Sequence, residues 1–214
     1  IIGHRDFYGM TLKLSPGTLE PRPDTEALVD LALPFVRAAA DRNGRCRILD
    51  LGTGTGAIAL ALLKEEPRAE AIGADISADA LATAKANADM TGNTGRFLPT
   101  LSHWFGAIEG RFHVIVSNPP YIASKDVALL EREVRDHDPL AALDGGADGL
   151  DAYREIAAGS ADHIEIGGIV AVEVGYDQPD AVEAIFARYG FVIAGSANDL
   201  GGHRRALAFA LGTP

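Results

Sequence analysis

A chain of 214 residues, 47% of them hydrophobic and 23% charged, can close one α/β domain around its own core without a second domain. Its formal charge of −11 opposes nonspecific binding to a phosphate backbone, and its apolar runs are broken well short of the ~20 residues that a membrane helix needs. Cys46 is the single cysteine, which excludes an internal disulfide, fits a reducing compartment and leads us to expect a cytoplasmic location.

The sequence begins Ile1-Ile2-Gly3-His4, without an initiating Met or a leader-like apolar stretch, and reads as the middle of a longer polypeptide. Residues 1–23, punctuated by Gly3, Gly9, Pro16, Gly17, Pro21 and Pro23, are expected to form an irregular or short-stranded lead-in. A helix is expected next, capped by Asp24, with Leu28, Leu31, Phe35 and Val36 facing inward and a kink at Pro34.

Alternation follows: strand 47–51, helix 56–66, strand 70–74, helix 77–89, a weak strand near 95–98, and strand 112–117. Then come a helix over about 148–162, strand 168–174, helix 178–189, and strands 190–195 and 205–211. Val114-Ile115-Val116 and Ile169-Val170-Ala171-Val172 are continuously apolar, as inner parallel strands covered on both faces must be. The order predicts an α/β, doubly wound fold. Asn198-Asp199-Leu200-Gly201-Gly202 can turn the chain back, which makes the last strand antiparallel. Residues 122–147 carry Glu131, Arg132, Glu133, Arg135, Asp136 and Asp138 ahead of Gly145-Gly146, and suit a loop beside the active face.

Two segments carry chemistry. Asp50-Leu51-Gly52-Thr53-Gly54-Thr55-Gly56 joins the first strand of the alternation to a helix, and its glycines let backbone approach a ligand. Gly52, Gly54 and Ala57 also satisfy a relaxed dinucleotide fingerprint, so NAD competes as the ligand. Asp75, after strand 70–74, can accept both ribose hydroxyl hydrogens; the alternative reading is a helix cap, which Ser77 supplies equally well. The loop has no Lys and lacks the P-loop arrangement, whereas Asp50 suits a ligand bearing an ammonium group. That combination favours S-adenosylmethionine over a pyrophosphate.

Asn118-Pro119-Pro120-Tyr121 follows strand 112–117, where a doubly wound sheet opens its ligand crevice. The Asn118 side chain can donate and accept, the prolines hold the chain extended, and Tyr121 offers a flat face. Hydrogen bonds from an NH2 group to the Asn118 and Pro119 carbonyl oxygens would orient a poorly nucleophilic nitrogen toward a methyl donor. The alternative is a rigid turn after a strand. His4, His103, His113, His137, His163 and His203 are dispersed and show no metal-ligand spacing, so no metal is expected.

Several segments together resemble the catalytic domain of the release-factor glutamine methyltransferases, the HemK or PrmC proteins. They are Gly3-His4-Arg5 with Phe7-Tyr8-Gly9, Pro21 to Glu26, Asp50 to Ala57, Gly73 to Ser77, Ser102-His103-Trp104-Phe105, Ser117 to Ile122, Gly145 to Leu150, and Glu173-Val174-Gly175. The segment Pro21-Arg22-Pro23-Asp24-Thr25-Glu26 is the most selective, because the Asn-Pro-Pro-Tyr tetrad also occurs in DNA adenine methyltransferases.

The resemblance implies a Rossmann-like class I methyltransferase with a seven-stranded, mostly parallel sheet. It implies transfer of a methyl group from S-adenosylmethionine to the side-chain amide nitrogen of the glutamine in the Gly-Gly-Gln motif of peptide-chain release factors. A monomer, with no direct nucleic-acid substrate and no membrane partner, is expected.

Residue by residue, the resemblance implies that Gly52, Thr53, Gly54, Thr55 and Gly56 line the methionine and ribose, that Asp75 with Ile76 holds the ribose, and that Trp104 flanks the adenine. Asn118 and Pro119 would hold the glutamine amide, Asn118 also contacting the cofactor, with Pro120 and Tyr121 completing the reaction site and Thr25 closing the cofactor pocket. Residues 24–214 would be the methyltransferase domain, and 1–23 the lead-in from an N-terminal helical domain that resembling proteins carry. His103 departs from the family's usual Asp. Methylation of an amino group on an adenine or guanine base is the main alternative, and it calls for a basic surface that the charge of −11 does not suggest.

Overall fold

The lead-in folds as a hairpin in a computed structural model that describes residues 3–129 and 139–212. Strands β1 (His4–Phe7) and β2 (Met10–Lys13) pair antiparallel, and Phe7, Met10 and Leu12 enter the same core as the first two helices. Helix α1 (Glu26–Asn43) buries Leu28, Val29, Ala32, Leu33, Val36, Ala39 and Ala40, a helical stripe, while Leu31 and Phe35 pack at its margin half-buried. The helix runs through Pro34, whose ring is exposed.

Asp24 does not cap α1. Pro23 opens a single 3-10 turn, Pro23–Thr25, that carries the chain into the helix with no side-chain cap, and Asp24 faces Arg205 at 3.9 Å instead.

The main sheet comprises β3 (Cys46–Leu51), β4 (Ala69–Asp75), β5 (Phe97–Leu101), β6 (Phe112–Ser117), β7 (Ile164–Glu173), β8 (Phe191–Asn198) and β9 (Arg204–Leu211). Its order is β5-β4-β3-β6-β7-β9-β8, with β9 antiparallel to both neighbours. Helices α2 (Ala57–Glu65) and α3 (Ala78–Met90) follow β3 and β4; α4 (Ser124–Val127), α5 (Asp151–His163) and α6 (Pro179–Arg188) follow later.

Alternate residues of the inner strands feed two cores. Ile48, Val114 and Val116 pack with α1 and α2, whereas Leu49, Leu51 and Ile115 pack with α5 and α6. The chain leaves β3 toward β4 and β5, then returns to place β6 on the other side of β3. This reversal makes the β3–β6 junction the switch point of the sheet, where ligands bind beyond the carboxyl ends of the strands. Leu51 and Ser117 pair there, and the Ser117 hydroxyl donates to the Leu51 carbonyl at 2.6 Å.

Strands β5 and β8 each end three residues beyond the expected range, and three other departures have local reasons. Helix α5 starts at Asp151, because Asp148 accepts the Leu150 N–H and pairs with Arg154, which holds 148–150 in a turn. Strand β7 starts at Ile164, and its pairing with β6 shifts register between Phe112 and Val114, with Gly167 left-handed. Within 122–147, the short helix α4, a 3-10 turn at Leu140–Ala142 and a bridge between Ile122 and Asp144 replace a plain loop. Glu131, Arg132, Glu133, Arg135, Asp136, His137 and Asp138 lie outside the described residues. Among the described residues no helix is long and apolar enough to cross a membrane.

Candidate active site at the sheet switch point

The glycine loop leaves β3 with Gly52 and Gly54 at φ of 69° and 53°, a conformation that glycine adopts without strain. A Cβ at either position would meet no protein atom within 4 Å, so the outer face of the loop is open to a ligand. Gly56 caps α2 in the same left-handed region.

Thr53, Thr55 and Gly56, expected to line the ligand, are buried, so the open part of the loop is Gly52 and Gly54. Thr53 donates to Asp50 at 2.7 Å, and Thr55 lends its carbonyl to the Asn87 amide at 2.9 Å.

Asp50 is fully enclosed. Its Oδ2 accepts from the Thr53 hydroxyl and the Ala59 N–H, while Oδ1 is buried without a hydrogen-bond partner. Burial pushes its carboxyl up to about 7, and the bonds from Thr53 and Ala59 pull the other way. The expected direct contact of Asp50 with a ligand ammonium therefore finds no open approach. Asp50 ties the loop to the first turn of α2, and its charge can act on a cation only through the wall of the site.

Asp75 ends β4 partly exposed, beside the loop. Its Oδ2 accepts the Gly54 N–H and its Oδ1 the Ser77 N–H, both at 2.9 Å, and each oxygen keeps a lone pair for a hydroxyl. The capping role belongs to Ser77, which accepts from Ala80 at the start of α3.

Next to Asp75 stand two exposed apolar side chains, Ile76 at 58% exposure and Leu101 at 60%. Trp104 follows in a left-handed backbone (φ 46°), held by the Ser102 hydroxyl, which donates to the Trp104 carbonyl at 2.8 Å. Phe105 turns inward and stacks on His163 at 4.6 Å, so it fills the core side of this turn. An open glycine backbone, a hydroxyl acceptor, apolar cover and two nearby carboxylates fit a cationic nucleoside better than a pyrophosphate.

Across the switch point, Asn118 emerges from β6 half-buried, with Pro119 buried behind it. The Asn118 amide donates from Nδ2 to the Thr25 hydroxyl at 3.3 Å. Tyr121 points its hydroxyl at Glu173 Oε1, 3.5 Å away, and its carbonyl accepts from Gln178 at 2.9 Å. The turn at Gly149 presses on this backbone, where a Cβ would come within 2.4 Å of the Tyr121 carbonyl oxygen. The structure thus gathers Thr25, Asn118, Pro119 and Tyr121 on one side of the crevice and Gly52, Gly54, Asp75, Ile76 and Trp104 on the other.

Three participants had no assigned role in the sequence reading. Glu173 ends β7 with 2% exposure, Arg205 on β9 grips Asp199, and Leu101 extends the apolar rim. A signal existed for Glu173: an acidic residue directly after the apolar run Ile169 to Val172, at the carboxyl end of its strand.

A family model described as methyltransferase small domain matches residues 28–136. Over 209 residues, 98% of this chain and 72% of the relative, the sequence is 57% identical to a release factor glutamine methyltransferase of Agrobacterium fabrum. Identity to the release factor glutamine methyltransferase of Bradyrhizobium diazoefficiens is 43%, over 97% of this chain and 70% of that one. Among solved structures, a ribosomal protein L11 methylase from Lactobacillus delbrueckii superposes with a TM-score of 0.66 at 20% identity, covering 94% of this chain and 86% of that one. That likeness carries the fold alone.

Proposed function

This chain belongs to the release factor glutamine methyltransferase family, and from that premise we propose how its crevice methylates the side-chain amide nitrogen of a release-factor glutamine, the one in the Gly-Gly-Gln motif. The observation that carries the reading is the meeting of Asn118 and the open glycine loop at the β3–β6 switch point. When bound, S-adenosylmethionine supplies an electrophilic methyl group on a sulfonium and leaves as the neutral thioether.

The chain supplies position. Asn118 spends its Nδ2 on Thr25, so its Oδ1 is free to accept from the substrate NH2, and the Pro119 carbonyl is the second acceptor. Holding the NH2 hydrogens in this way orients the nitrogen for in-line attack, the largest contribution a site without a strong base can make. Asn118 Oδ1 and the Pro119 carbonyl would keep hold of the two NH2 hydrogens until the methylated nitrogen sheds one of them to water. Asp75 anchors the ribose, Thr25 closes the pocket beside Asn118, and Ile76, Leu101 and Trp104 cover the base. We place this activity in the cytoplasm, where its substrate works.

A methyl-transfer assay with a folded release factor, its Gln→Ala variant and DNA, read by mass analysis, tests the proposal. One added methyl on the glutamine and none on the variant or DNA is expected; a methylated DNA base overturns it.

A further inference from the structure

Glu173 has no part in the chemistry above, yet it lies beside it. Its Oε1 is 3.5 Å from the Tyr121 hydroxyl, and Oε2 is buried without a hydrogen-bond partner among the described residues. A carboxylate enclosed in this way is costly unless donors turn to it.

The groups around it come from four elements. Thr25 and Asp24 arrive from the turn before α1, Tyr121 from the tetrad, and Arg205 from β9, while the Tyr153 hydroxyl of α5 donates to the Glu173 main-chain carbonyl at 2.9 Å. Arg205 is committed to Asp199 and to the Val174 carbonyl. Burial, and then Glu173 itself, push Tyr121 up to about 12, so its hydroxyl keeps its proton and donates. Thr25 lies beside this carboxyl, and because its oxygen accepts from Asn118 Nδ2 its own proton is unspent, facing a buried oxygen that has no donor.

Building on the glutamine reading above, we propose that Glu173 is a positioning residue that sets the polarity of the chain Asn118–Thr25–Glu173. An ionised carboxylate can only accept, so Thr25 donates to it and takes its own hydrogen bond from the Asn118 NH2. The two ends of an Asn amide have nearly the same shape, and packing alone cannot choose between them. The direction imposed by Glu173 keeps Asn118 Oδ1 turned toward the substrate amide. If Glu173 becomes a donor, the chain can reverse and the Asn118 NH2 confronts the substrate NH2. The carboxylate thus acts, through two side chains, as a selector for an amide over a carboxylate at the target.

Burial pushes Glu173 up to about 7, with Thr25 and Arg205 pulling it down and Asp24 pushing it up. The donor form therefore accumulates as pH falls below about 7, and turnover is expected to fall with it, approaching about tenfold per pH unit.

The test compares wild type, Glu173→Gln and Thr25→Val for turnover on the release factor. It also measures the ratio of their affinities for the Gln substrate and its Gln→Glu variant, with S-adenosylhomocysteine present. Both variants are expected to lose about 100-fold in kcat. Both should shift the Glu-over-Gln binding ratio by about tenfold or more, and T25V should flatten the acidic limb of the pH profile. T25V retains the carboxylate, so a shift confined to E173Q reports charge repulsion and overturns the proposal; an unchanged ratio in T25V overturns it even where E173Q fails to fold. A wild type that leaves the glutamine unmethylated refutes the functional reading itself, and the selector falls with it.

Discussion

Removing the Asp75 carboxylate by Asp75→Ala should weaken S-adenosylmethionine binding by about two orders of magnitude. The carboxylate holds the Gly54 and Ser77 N–H groups at 2.9 Å and leaves one lone pair on each oxygen for a ribose hydroxyl. Hydrogen bonds to a charged acceptor contribute ~1.5–3 kcal/mol each. Asp75 is partly exposed, so solvent screening argues for the lower end, about 3 kcal/mol for two hydroxyls. At 1.4 kcal/mol per decade that is about 100-fold in Kd.

Asp75→Asn separates the two roles. Its remaining oxygen can still accept from Gly54, while its NH2 cannot accept from Ser77 or a hydroxyl, so about tenfold is expected. Titration calorimetry with S-adenosylmethionine, its demethylated product and NAD reads all three proteins. Equal affinity in wild type and in a D75A protein of unchanged melting temperature would refute the ribose assignment, and preferential NAD binding would refute the cofactor.

Three further outcomes follow from the same geometry. Asn118→Ala and Asn118→Asp should each lower kcat about 100-fold, and Asn118→Ala should weaken cofactor binding far less than that, since Asn118 faces the target amide; wild-type turnover in either would defeat the amide grip. Gly149→Ala should lower the urea midpoint by roughly 2 kcal/mol of stability or more, and turnover with it, because the residue is left-handed (φ 77°) and its Cβ would collide with the Tyr121 carbonyl. The ligand-free protein should lose stability between about pH 4 and 7. Asp50 is pushed up to about 7 when folded, so the folded state binds more protons than the unfolded one in that window. The contribution is present below the unfolded value and is lost as pH rises through about 7, on the order of 3–4 kcal/mol. Urea midpoints from pH 4 to 8 should fall in wild type and fall less steeply in Asp50→Asn, where Glu173, also pushed up to about 7, keeps its share of the slope; parallel curves would show that Asp50 ionises normally.

The parts of this site that were legible in the sequence are those whose reason is local. A run such as Val114-Ile115-Val116 needs cover on both faces wherever it occurs, and the glycine spacing after β3 constrains backbone within a few residues. The positions of Asn118 and Asp75, as distinct from their proposed contacts, were readable because each sits at a strand end, where the doubly wound order itself puts the crevice. The cap at Asp24 was misread because Pro23 starts a turn one step earlier, a choice made by the docking of this segment against β9.

What the sequence hid was burial of charge. Asp50 resembles a ligand contact until the fold closes Thr53 and Ala59 over it, and Glu173 resembles a strand terminus until the turn before α1 brings Thr25 alongside. No periodicity marks either event: the cover over Asp50 comes from Thr53 and Ala59 in the loop and helix that follow it, and the cover over Glu173 from segments far apart in the chain. The same cover gives the pair its leverage. Enclosed in low dielectric, each carboxylate has its charge and hydrogen-bonding direction fixed by a few named neighbours, so each can order a loop or orient an amide that it never touches.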